Sequence, residues 1–268
     1  MNTPGNVRTA MVSTTRSAFS LTTADGISLA AHVWPASGAG DVAVVVTHGF
    51  AASKDDGAVL ALARALGAQG HTVITYDGRG HGESGGLCTL GDAERHDVAA
   101  AVALAHQHAE RVVAVGASMG AIAVLRHAAL DPALDGVVAV SSPARWRVPR
   151  NARSILAAAL TQTPPGRVVA ERFMRVRLAQ GWTRPEAPDV LVRRITAPIA
   201  VVHGDDDRFI APSDAPVLYA CANDPRRIDL VPGMGHAFDA PGIPVICAAV
   251  DWALATPTPS TLSRSVRS

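Results

Sequence analysis

A chain of 268 residues is long enough for one large α/β domain with a substantial core. Its 48% hydrophobic and 18% charged residues and formal net charge of +1 lack the basic excess of a nucleic-acid binder. No stretch reaches membrane-spanning length without polar interruption, so no integral membrane segment is expected.

Residues 1–16 are polar, lack the apolar centre of a secretory signal, and are expected to be flexible. Asp25-Gly26, between residues 17–23 and 26–34, predicts a hairpin, so the sheet should begin with an antiparallel pair. Residues 42–47 read as a buried strand ending in Thr47-His48-Gly49-Phe50, and residues 58–69 as a helix stopped by Gly70. A strand over 71–76 runs into the glycine-rich DGRGHGES at 77–84, followed by one long alanine-rich helix over 90–109. Residues 112–115 form the next buried strand, 121–130 a helix, and 136–140 a strand ending at Ser141-Ser142-Pro143.

From 143 to 194 the alternation breaks. Prolines 149, 164, 165, 185 and 188 cut this part into short helices, expected over 151–161 and 167–180. A strand over 199–202, a helix over 213–221, a strand over 227–231 and a helix over 243–255 complete the domain. Residues 256–268 are Pro/Ser/Thr-rich and expected to be disordered. The pattern predicts one α/β domain over 17–255, a doubly wound, mostly parallel sheet whose site lies at the strand C-terminal ends.

One turn organises this chain. Gly116-Ala117-Ser118-Met119-Gly120 joins the 112–115 strand to the 121–130 helix, a context that puts a serine on a sharp corner with its Oγ above the sheet edge. By itself G-x-S-x-G arises by chance in roughly one chain in ten of this composition. A dinucleotide-binding turn would need glycine where Ser118 stands. A serine hydroxyl is a poor nucleophile, so the reading turns on a histidine base and an acid to orient it. Downstream, HGDDD at 203–207 and GMGHAF at 233–238 each follow a strand, giving the order serine, acid, histidine.

Together THGF (47–50), YDGRGHGES (76–84), GASMG (116–120), HGDDD and GMGHAF resemble the α/β-hydrolase superfamily, specifically its small serine hydrolases with esterase, lysophospholipase and thioesterase-like relatives. The likeness spans residues 17 to 255 apart from 143–194. It implies Ser118 as nucleophile, His236 as general base and Asp207 as the acid, with Asp205 the runner-up and Asp206 third. It also implies an oxyanion hole from the backbone N–H groups of Phe50 and Met119. His203 is expected to be structural, and Asp77, Arg79 and His81 to form a packed turn held by an ion pair. The two unused aspartates are expected to cap the helix near Pro212 or to meet solvent.

Residues 143–194 fall where this fold carries its lid, as a short helical insertion with eleven arginines against Glu171, Glu186 and Asp189. Two readings stand: a solvated arginine face over an apolar underside, or a lid that attracts an anionic substrate. Trp146, Phe173 and Trp182 are its candidate substrate contacts. The function implied is hydrolysis of carboxylic esters of small or medium acyl chains, with a thioesterase acting on an anionic acyl thioester as the alternative. A ligand-binding module without turnover is the third reading. No cofactor is implied, and the scattered histidines and three cysteines lack metal-ligand spacing. Cys88, Cys221 and Cys247 fit free thiols in a reducing, cytoplasmic setting.

Overall fold

The computed structural model describes residues 16–36, 40–146, 152–181 and 183–257. The flexible N-terminus and the disordered tail read from the sequence therefore fall almost wholly outside the described residues, as does Trp182. Strands β1 (Ser17–Thr22), β2 (Ser28–Trp34), β3 (Val42–Thr47), β4 (Thr72–Tyr76), β5 (Arg111–Ala117), β6 (Gly136–Val140), β7 (Ile199–Gly204) and β8 (Arg226–Val231) form one sheet. Its order is β1-β2-β4-β3-β5-β6-β7-β8. The β1–β2 hairpin turns at Asp25-Gly26, β2 is antiparallel to β4, and every later pairing is parallel.

The apolar runs are continuous because both faces of the sheet are covered. In β3, Val42, Val44 and Val46 pack with helices α1 (Gly57–Ala68) and α8 (Ile243–Ala255) on one face. Ala43 and Val45 pack on the other with α2 (Glu94–Ala105), α3 (Met119–Leu130) and α7 (Asp214–Cys221). β5 and β6 alternate in the same way. The chain passes from β3 outward to β4 and then back across to β5, so connections leave β3 and β5 toward opposite faces. That reversal opens a crevice at the C-terminal ends of these two strands. No helix among the described residues is long and apolar enough to cross a membrane.

Two helices differ from their sequence reading. The helix expected over 90–109 is shorter, because Leu90 and Gly91 take positive φ and the Glu94 carboxylate accepts from the Thr89 and Gly91 N–H groups, fixing the start. Beyond α4 (Ala152–Gln162), helix α5 (Pro164–Met174) begins at the prolines expected to break it. Proline lacks only an N–H that the first turn leaves unpaired, and Thr163 caps the end by accepting from Gly166 N. α5 stops at Arg175, with φ of 57°. The next residues instead stitch the insertion to the β4 loop, through Arg177 N to Gly80 O and Cys88 N to Arg177 O. A four-residue helix, α6 (Pro188–Leu191), precedes β7.

Candidate active site

Ser118 stands on the corner between β5 and α3 with φ 53° and ψ −116°, a conformation costly for any residue with a Cβ. The corner is held by Ser118 N donating to Val140 O at 2.9 Å and by Ile122 N donating to Ser118 O at 3.2 Å. Tight packing makes the flanking glycines necessary. A Cβ on Gly116 would lie 2.4 Å from Gly120 O, and one on Gly120 would lie 2.4 Å from His48 O. The corner is thereby pressed against the loop that follows β3.

His236 and Asp207 come from the loops after β8 and β7. His236 Nδ1 donates to Asp207 Oδ2 at 2.8 Å. Asp207 Oδ1 accepts from the N–H groups of Phe209 and Ile210 at 2.8 and 3.0 Å. Burial works to raise the pKa of this carboxyl, but the hydrogen bonds from His203 and His236, reinforced by the Ile210 N–H, hold it far below the usual carboxylate range. The other two aspartates meet solvent, one of the two outcomes expected for them. Asp205 accepts from Gly233 N at 2.8 Å and Asp206 pairs with Arg208, so neither caps the helix near Pro212.

His203 has a second task besides filling the strand end. It is fully buried, and its Nε2 lies 3.3 Å from Asp207 Oδ2 and 3.2 Å from Ile210 O. Both neighbours are acceptors, so Nε2 carries the proton. Ser141, at the end of β6 with φ 49°, is also fully buried, and its Oγ accepts from Ala237 N, fixing the residue next to His236.

The loop after β3 is pinned by two buried imidazoles. His48 Nε2 accepts from Gly78 N at 2.9 Å, leaving Nδ1 to donate to Gly49 O at 2.7 Å. His81 Nε2 accepts from Ala51 N at 3.3 Å, and its Nδ1 donates to Arg79 O at 3.0 Å. The backbone of Phe50 is held between these contacts. Burial, aided by the neighbouring His81, lowers the pKa of His48 to about 4, and burial lowers that of His81.

Two cavities meet at Ser118. One, of about 190 Å³, is lined by Leu90, Met119, Ile122, Pro143, Trp146 and Ile210. The other, of about 280 Å³, is lined by His48, Phe50, Val59, His236, Phe238 and Asp239. The first is walled by apolar side chains apart from Ser118 and Gln162, and the second also carries His48, His236 and Asp239.

The model of the family described as serine aminopeptidase S33 matches residues 39–184, more than half of the chain. The chain is an α/β hydrolase of this family. Among curated proteins, a monoacylglycerol lipase of Mycolicibacterium smegmatis is 29% identical, with 84% of this hydrolase and 92% of the relative aligned. Among solved structures, the Pyrococcus furiosus esterase Pf2001 superposes with a TM-score of 0.70 at 21% identity, covering 95% of the hydrolase and 97% of that chain. A Xanthomonas campestris α/β serine hydrolase described as having no lid gives 0.61 at 21% identity, over 91% and 98%.

Of the insertion residues singled out in the hydrolase sequence, Trp146 lines the apolar cavity, tethered by its Nε1 donating to Pro185 O. Phe173 does not line either cavity. It is 78% exposed, off the inner stripe of α5 formed by Gly166, Ala170 and Met174. The β4 loop is the packed turn expected from the sequence: Arg79 pairs with Asp25 and Asp97. Sequence reasoning missed Lys54, whose buried ammonium meets Asp77 at 3.0 Å and Glu83 at 2.6 Å. Nothing in Ser53-Lys54-Asp55-Asp56 distinguishes it from a solvated charged run. Ser141 was equally silent, since its signal is a backbone angle.

Proposed function

We propose that this hydrolase cleaves carboxylic esters of small or medium acyl chains through Ser118, His236 and Asp207. The observation that carries the reading is His236 held by Asp207 at 2.8 Å while sharing a cavity wall with the strained Ser118. In this mechanism His236 Nε2 takes the proton of Ser118 as Oγ attacks the acyl carbon. The backbone N–H groups of Phe50 and Met119 receive the developing oxyanion. Collapse expels the alcohol, protonated by His236, and a water activated by the same imidazole releases the acid. No cofactor takes part in these steps.

The apolar cavity suits the acyl chain. A dry cavity of about 150 Å³ takes six carbons as benzene, so roughly six to eight carbons fill one of this size. The names of the relatives, a lipase and an esterase, support an ester as the bond cut. The three free thiols support a reducing, cytoplasmic setting. The test is Ser118→Ala, which should abolish turnover of p-nitrophenyl esters and labelling by a fluorophosphonate while the protein stays folded. An acyl-CoA panel run alongside separates esters from thioesters. Equal turnover by the variant would refute the assignment.

A further inference from the structure

We propose that the α4–α5 hairpin docks this protein on a negatively charged lipid surface. α5 has two stripes. The inward one is Gly166, Ala170 and Met174, and it packs so closely on α4 that a Cβ on Gly166 would lie 2.1 Å from Ala159 O. The outward one carries Val168, Val169 and Phe173, which are 65%, 44% and 78% exposed. On α4, Ile155 and Leu156 are also exposed, at 55% and 68%. Five large apolar side chains are thus exposed on one helical hairpin. A contiguous exposed apolar patch marks a surface that something covers.

Charge names the occupant. The hairpin and its C-cap, residues 152–175, hold four arginines against the single acid Glu171, a local charge of +3. The whole chain carries +1, so the remainder is at −2. Arg172 and Arg175 are exposed at the same end of α5 as Phe173, and the Arg172 guanidinium lies 6.0 Å from the Phe173 ring. Exposed apolar side chains rimmed by arginine are what an anionic headgroup layer accepts: the apolar groups enter the acyl boundary and the guanidinium groups meet the phosphates. A second copy of the same hairpin would instead bring +3 against +3. The position is apt, since Gln162, the last residue of α4, lines the apolar cavity beside Ser118. Docking would set the mouth of that cavity against the lipid.

The experiment is flotation of the full chain with vesicles of phosphatidylcholine alone and of phosphatidylcholine with a third phosphatidylglycerol. Wild type should bind the anionic vesicles at least tenfold more tightly and release them in high salt. Arg172→Gln with Arg175→Gln should weaken this binding about twenty-fivefold, at about fivefold per arginine. Val169→Ser with Phe173→Ser should weaken it at least tenfold. Both pairs of changes lie on exposed positions, and both variants should hydrolyse a soluble short-chain ester like wild type, a control that tests the ester-hydrolase reading separately. Failure to float, equal binding to neutral vesicles, or undiminished binding by either variant would overturn the proposal. So would a dimer that dissociates in the Val169→Ser, Phe173→Ser variant, which would give the face to a second copy.

Discussion

Replacing Asp207 by asparagine tests the proposed triad without changing volume. The carboxylate offers four lone-pair positions, and each has a donor. Oδ1 takes the Phe209 and Ile210 N–H groups, and Oδ2 takes His236 Nδ1 at 2.8 Å and His203 Nε2 at 3.3 Å. An amide has one oxygen, and the two fixed backbone donors claim it, since an NH2 turned toward them would set donor against donor. The NH2 group then faces both histidines. His203 must keep its Nε2 proton for Ile210 O, so one donor–donor contact persists. His236 escapes only by moving its proton from Nδ1 to Nε2, where the Ser118 hydroxyl needs a base. In a serine protease the equivalent wrong tautomer lowers kcat about 10⁴-fold, or roughly 5 kcal/mol of transition-state stabilisation. Steady-state hydrolysis of p-nitrophenyl butyrate and the rate of fluorophosphonate labelling should both fall on this scale, with KM little changed. Retention of more than about a tenth of wild-type kcat would refute the reasoning. So would a larger loss in Asp205→Asn than in Asp207→Asn.

His203→Leu removes one donor from Asp207 and should lower kcat about tenfold at constant KM, within the range for a hydrogen bond to a charged group. His203→Gln, which returns an N–H near the Nε2 position, should recover most of that loss; no recovery would assign the effect to packing. Across straight-chain p-nitrophenyl esters, kcat/KM should rise about fourfold per methylene until the apolar cavity fills. Trp146→Ala should move that limit to longer chains, and an unmoved optimum would show that the acyl group lies elsewhere. Stability should also depend on His48. The unfolded chain binds its proton near pH 6.5 and the folded one only at about 4. The stabilising contribution is therefore complete above pH 6.5 and lost as pH falls toward 4, amounting to roughly 3 kcal/mol. Urea midpoints at pH 7 and 4.5 should separate more in wild type than in His48→Gln, and equal separations would contradict it.

The sheet was legible because β3, β5 and β6 are buried on both faces, so each reads as an unbroken apolar run whichever neighbour it meets. The positions of Ser118, Asp207 and His236 were legible as short motifs at strand ends. What holds them was less so. His203 reads as a buried strand residue, and its bond to Asp207 depends on where the chain turns after Gly204. Ser141 acts through a φ of 49° that no residue type announces. The early start predicted for α2 has the same origin: Leu90 is a good helix former held at positive φ by the loop around Glu94.

The insertion shows a different limit. A period of 3.6 sorts the residues of α5 into stripes but does not say which stripe faces the protein. The ordinary inference turns Val168, Val169 and Phe173 inward because burying them removes the most apolar area from water. Two helices joined by Thr163 alone, however, must cross at close range, and only a stripe as slim as Gly166 and Ala170 permits that approach. Backbone proximity therefore set the orientation, and the larger apolar side chains were left outside. An outward apolar stripe that the hairpin's own geometry enforces gains nothing from water, and would be a standing liability unless a second apolar phase lay against it.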